Sequence, residues 1–216
     1  RPIALSIRNK RFGSLHLYER PGYERPGASQ SISLIACGLI VIAACSIARA
    51  ASSSPASRKM IAAVAKLSAE LGNRAVLEQL ALGDRPGEQR IFYGTAGGSN
   101  SLIAPRENAN DSELIRVSTI DAYCQSHHID EIDFLKMDIE GYEHAALRGA
   151  EGMLRAGKIG AIQFEYGHAF LGAGTSLMAL MDYVRGVNRE YAFFKLFPDE
   201  ARPVPAYDPA LENFKT

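Results

Sequence analysis

Cysteine is scarce, neither charge is in excess, and glycine almost vanishes over a long early stretch. Cys37, Cys45 and Cys124 have no spacing suited to zinc, and any disulfide leaves one unpaired. That excludes a cysteine-stapled scaffold and favours a reducing, cytoplasmic setting. The 24 basic side chains balance 24 acidic ones, so nothing marks a nucleic-acid binder or a surface drawn to anionic lipid. Gly38 is the single glycine between Gly27 and Gly72, so no glycine-rich turn is encoded there to admit close backbone approach to a ligand. No methionine precedes Arg1, the expectation for a fragment or a processed product. The 216 residues suit one domain with a real core.

What is present centres on Ile132-Asp133-Phe134-Leu135-Lys136-Met137-Asp138-Ile139-Glu140-Gly141-Tyr142-Glu143. A short apolar run ends in acids and a glycine, the pattern of a buried parallel strand delivering carboxylates to its own carboxyl end. Alternation puts Phe134 and Lys136 on one face and Leu135 and Met137 on the other. It also puts Asp138 and Glu140 on a shared side beyond the strand, with Gly141 allowing a tight turn. From Tyr142 the period becomes helical. Tyr142, Ala146, Leu147, Ala150, Met153 and Leu154 form one stripe, while Glu143, Arg148, Glu151 and Arg155 face water. Gly157 and Lys158 supply a helix stop. Residues 159–166 read as a second buried strand ending in an acid, completing a parallel strand, helix and strand unit.

The remaining chain supports these elements. Ile3, Leu5 and Ile7, then Phe12, Leu15 and Leu17, alternate weakly, as two short strands or one strand and a turn. Met60, Val64, Leu67 and Leu71 predict an amphipathic helix over 60–72. Residues 76–84 predict a third strand running into Asp84, and residues 89–93 a short one. The hydroxyl- and amide-rich stretch 95–102 reads as a flexible loop. A helix opens over 117–123, with Ser118 or Thr119 as cap and Asp121 in its first turn. His127 and His128 read as exposed loop residues. Leu177, Leu180, Met181 and Val184 have core spacing on a helix, residues 191–197 read as a terminal strand, and the proline-broken tail 198–216 is expected to pack as an irregular cover or to fray.

The strings Leu135-Lys136-Met137-Asp138-Ile139-Glu140-Gly141-Tyr142-Glu143, Leu147-Arg148-Gly149-Ala150-Glu151 and Ile162-Gln163-Phe164-Glu165-Tyr166 resemble the FkbM family of S-adenosylmethionine-dependent methyltransferases over roughly residues 76–197. The resemblance implies an α/β fold: a Rossmann-like class I methyltransferase sheet, mostly parallel with an antiparallel edge that includes the 191–197 strand. It implies S-adenosylmethionine as cofactor and O-methylation of a hydroxyl on a small-molecule or glycan acceptor. Methyl transfer to a hydroxyl needs a positioned acceptor and a proton sink. Asp138 is the first candidate for that role and Glu140 the second. Glu165 and His168, at the mouth of the next strand, are candidates for acceptor contact. Ala81, Leu82 and Asp84 correspond to the segment that lies beside the cofactor's adenine, and Ser99, Asn100 and Ser101 to the acceptor side. Read without the resemblance, Asp84 is a solvated turn acid, Glu140 a helix cap, Glu143 a helix-dipole acid, and Glu165 a cross-strand partner for Lys136. Two carboxylates, Asp138 and Glu140, are enough to begin a site for a hard divalent ion, but the sequence shows no third protein ligand, so no metal ligand is assigned and metal dependence stays open.

Residues 1–59 stand apart from a methyltransferase domain over 60–216. The family's glycine-rich first turn has no counterpart, so the N-terminal part reads as degenerate. Residues 28–59 admit three explanations: genuine divergence, a frameshifted segment, or an export or anchor signal formed by the uncharged run 32–48 with Ala48-Arg49-Ala50 behind it. Three functions follow: a methyltransferase, a non-catalytic relative lacking cofactor binding, and an exported or anchored binding domain. The first is the expectation, with no nucleic acid and no membrane as partner.

Overall fold

The acidic turn sits at the carboxyl edge of a sheet that has six strands among the described residues. In this computed structural model the described residues are 3–9, 39–42, 66, 78, 80–93, 100–102, 112–197 and 199–212. In chain order they form β1 (Ile3–Asn9), β2 (Leu39–Ile42), β3 (Ala81–Leu82), β4 (Gly87–Tyr93), β5 (Asn100–Ser101), β6 (Ser112–Ser118), α1 (Ile120–Ser126), β7 (Ile132–Met137), α2 (Glu143–Arg148), α3 (Glu151–Arg155), β8 (Ile159–Tyr166), α4 (Ala169–Gly172), α5 (Leu177–Val187), β9 (Tyr191–Leu196) and β10 (Ala201–Pro203). A 3-10 turn over Pro209–Glu212 follows.

The larger sheet has the order β10-β9-β1-β8-β7-β2. All its neighbours pair in parallel except β10, which runs antiparallel to β9 at the edge. β7 and β8 are adjacent and parallel, joined by α2 and α3, as the periodicity predicts. β1 and β2 belong to this same sheet, so it draws strands from the segment before residue 59 as well as from the chain beyond it. A second sheet has the order β3-β6-β4-β5, with β3 parallel to β6 and the other pairs antiparallel.

Apolar spacing explains the core. Leu135 and Met137 of β7 and Ile162 and Phe164 of β8 are fully buried, as are Leu147, Leu154, Leu180, Met181 and Val184 on the helices. Lys136 and Phe134 on the other face of β7 are half-buried. The Tyr191 hydroxyl donates to the Ile159 carbonyl and the Asn188 amide to that of Leu154, tying β9 and α5 to β8 and α3.

Several expectations need correction. The single helix expected from Tyr142 is two, α2 and α3, broken at Gly149 and Ala150. A Cβ on Gly149 would fall on the carbonyl oxygen of Gly83, so the chain bends where the second sheet docks against it. Val117 and Ser118 end β6 rather than open a helix; Thr119 caps α1, its hydroxyl accepting from the Ala122 amide at 3.0 Å. Asp121 caps α3 instead of serving only its own helix, accepting from the amides of Gly152 and Met153 at 2.7 and 3.0 Å. The third strand is described only at Ala81–Leu82 and lies in the second sheet. The 191–197 strand pairs in parallel with β1, and the antiparallel edge is β10, inside the expected irregular tail. Pro203 is tolerated there because an edge strand has one side without a ladder to donate to. Of the 60–72 helix only Lys66, which is helical, is described; Phe12, Leu15, Leu17, Gly38 and most of 28–59 lie outside the described residues. No helix among the described residues is long and apolar enough to cross a membrane.

Candidate active site

β7 stops at Met137, which is level with Ile42 at the end of β2 and with Phe164 of β8. Asp138 therefore leaves the sheet beside the carboxyl end of β2. The chain returns from β7 through α2 and α3 to β8 on the other flank, and the region outside the carboxyl ends of parallel strands is where α/β proteins receive ligands. Glu165 follows Phe164, so it lies level with Asp138 one strand over, opposite Arg8 in the β1 register.

The turn is unusual in its backbone. Glu140 has φ 55° and Gly141 φ 96°. Glycine adopts that region freely, but a glutamate does so at a cost and needs surroundings that enforce it. The extended geometry that placed Asp138 and Glu140 on a shared side thus ends before Glu140. Ile139 pins the turn into the core with 1% exposure. Lys136 and Asp138 keep the same-face relation expected of alternation, with Nζ 3.9 Å from Oδ2 and the Asp138 side chain 40% exposed. The pair is loose, and the carboxylate retains open acceptor positions.

Glu143, expected to face water, is buried, with 1% exposure. Its Oε1 accepts from the Ile139 amide at 3.0 Å, and its Oε2 has no hydrogen-bond partner among the described residues. Burial pushes its carboxyl up to about 7, against the pull of the Ile139, Glu143 and Gly141 amides, with the Asp138 charge adding to the rise. The sequence signal was available only as position: an acid two residues beyond Gly141 can fold back onto the turn's own amides. Its neighbour His144 is half-buried, 2.7 Å through Nδ1 from the Thr175 hydroxyl and beside the Tyr183 ring; burial and then Arg148 lower its pKa.

The other expected residues fall in two places. Ala81 and Leu82 are buried in the second sheet, while Asp84 accepts from Arg148 of α2 at 2.9 Å through Oδ2. The Tyr142 hydroxyl donates to Gln89 Oε1 at 2.8 Å and its ring lies against Gly83, so the acidic turn and the β3 end share one junction. Asn100 and Ser101 form β5, at the opposite edge of the second sheet from β3. Three strand spacings separate those edges, roughly 14 Å, and the structure does not bring the two groups together. Ser99 lies outside the described residues. His168 is exposed at the start of α4, and His127 and His128 are exposed as well. Among the described residues no group of three or more His, Cys, Asp or Glu side chains is arranged to hold a metal ion.

Compared with protein-family models, residues 49–193 match one described as a methyltransferase FkbM domain. The match starts ahead of residue 76, where the resemblance read from the motifs began. Comparison with curated proteins and with solved structures gives no significant match.

Proposed function

The chain belongs to the FkbM methyltransferase domain family, and on that premise we propose that it O-methylates a hydroxyl of a small molecule or glycan using S-adenosylmethionine. When bound, that cofactor supplies a methyl carbon activated by a positively charged sulfur. Asp138 and Glu165 set acids at adjacent strand ends, with Lys136 beside the first and Arg8 opposite the second in the β1 register. Arg148 occupies Oδ2 of Asp84, and a carboxylate has further acceptor capacity for an amine of the cofactor. Asp138 receives the acceptor's proton or orients its hydroxyl; Glu140 stands behind it in that role, and Glu165 and His168 contact the acceptor. A positioned base of this kind contributes about 10²–10⁴-fold.

The observation that carries the reading is the place of Asp138, past the end of β7 and beside the end of β2, with a half-open carboxylate. One other reading has its own support: the dearth of glycine between Gly27 and Gly72 favours a relative that keeps the sheet without binding the cofactor. A methyl-transfer assay with isotopically labelled S-adenosylmethionine and a panel of hydroxyl acceptors separates them. Label on an acceptor oxygen that falls at least about 10²-fold in Asp138→Ala supports the enzyme. Donor binding with transfer untouched by that substitution would remove Asp138 from the chemistry.

A further inference from the structure

We propose that Glu143 is a positioning residue, a buried carboxyl that holds the Asp138–Gly141 turn in its left-handed form and so sets the aim of Asp138. Three observations meet there. Two successive residues, Glu140 and Gly141, have positive φ, and a non-glycine in that conformation persists only where its surroundings over-determine it. Glu143 Oε1 accepts from the Ile139 amide at 3.0 Å, across the turn. The side chain that does so is 1% exposed and leaves Oε2 without a partner among the described residues. Burying a carboxyl half-satisfied is costly, and a solvated acid would serve a helix dipole equally well. The cost is explained if the turn needs an acceptor from inside the protein.

The local charges agree with this placement. Burial is the main reason that Glu143 titrates near 7, and Asp138, itself paired with Lys136, adds to it; His144 follows on the same helix, held by Thr175. The Asp138 charge thus reaches the Glu143 carboxyl from the far side of the turn.

Asp138 matters only on the methyltransferase reading, but the turn can be examined without any cofactor. Amide hydrogen exchange and NMR titration are run on the full chain and on Glu143→Gln, Glu143→Leu and Asp138→Asn. Glutamine keeps the acceptor, so Ile139 protection is expected within about threefold of the parent, whereas leucine lowers it at least tenfold while β8 and α5 amides keep theirs. The Ile139 amide shift titrates near pH 7 in the parent, stops titrating in Glu143→Gln, and titrates at lower pH in Asp138→Asn. The move of the Ile139 titration to lower pH in Asp138→Asn is an effect that simple support of a helix would not produce. Unchanged Ile139 protection in Glu143→Leu overturns the proposal. Should that variant not fold, an Ile139 titration that survives in Glu143→Gln, or one whose midpoint is unmoved in Asp138→Asn, does so instead. A parent chain that shows these couplings yet transfers no methyl group sinks the enzymatic reading and leaves the turn's support standing.

Discussion

Glu143 makes the clearest claim at the level of one residue. Its folded pKa of about 7 lies above the ordinary 4.5 because burial disfavours the charge. As pH rises the unfolded chain ionises first, so the neutral acid's contribution to stability is complete below about 4.5 and is lost as pH climbs through 7. Glu143→Gln has no such slope. Relative to the parent it should gain on the order of 3 kcal/mol between pH 4 and pH 8 in urea unfolding, and a difference flat across that range would contradict the burial. Asp138→Ala should behave in the opposite way. Its ion pair is loose and its side chain 40% exposed, so stability should stay within about 0.5 kcal/mol, while transfer should fall by two orders of magnitude or more.

Among the elements, the bend between α2 and α3 shows how tertiary contact overrides a periodic pattern. Ala146, Leu147, Ala150, Met153 and Leu154 are all buried as one apolar stripe predicts, so nothing in that stripe marks the break. The cause lies at Gly83, far away in the chain, whose carbonyl occupies the space that a Cβ on Gly149 would need. Gly149→Ala should therefore cost about 1–3 kcal/mol by thermal unfolding, and an unchanged melting temperature would show that the β3 end does not press there. Asp121→Ala should cost about 1–2 kcal/mol through the two α3 amides that it leaves uncapped. β7, β8 and α5 were legible because their apolar spacing and their burial coincide, and the strand-end place of Asp138 was legible with them. The inward turn of Glu143 was not, since an acid at a helix start normally meets water. Nor was β10, where Pro203 argued against a strand until the edge position removed the objection.

For the whole molecule, β1 is the strand on which continuity depends. It hydrogen-bonds β8 on one side and β9 on the other, so removing residues 1–9 parts the sheet and bares two strand edges. The shortened chain should lose cooperative unfolding or aggregate, and a truncated protein that melts like the parent would mean that β8 and β9 pair without β1. Alternation at Ile3, Leu5 and Ile7 pointed to a strand, but its place between two later strands rests on long-range pairing that local pattern does not carry. The cofactor reading has the same character: the acids come from β7 and β8, while the family's glycine-rich turn has no counterpart in this chain. The most direct measurement is isothermal titration of the full chain with S-adenosylhomocysteine. One-to-one binding with a micromolar dissociation constant is the predicted result, and a folded sample that releases no heat at any attainable concentration, with no binding by a second probe, would contradict it.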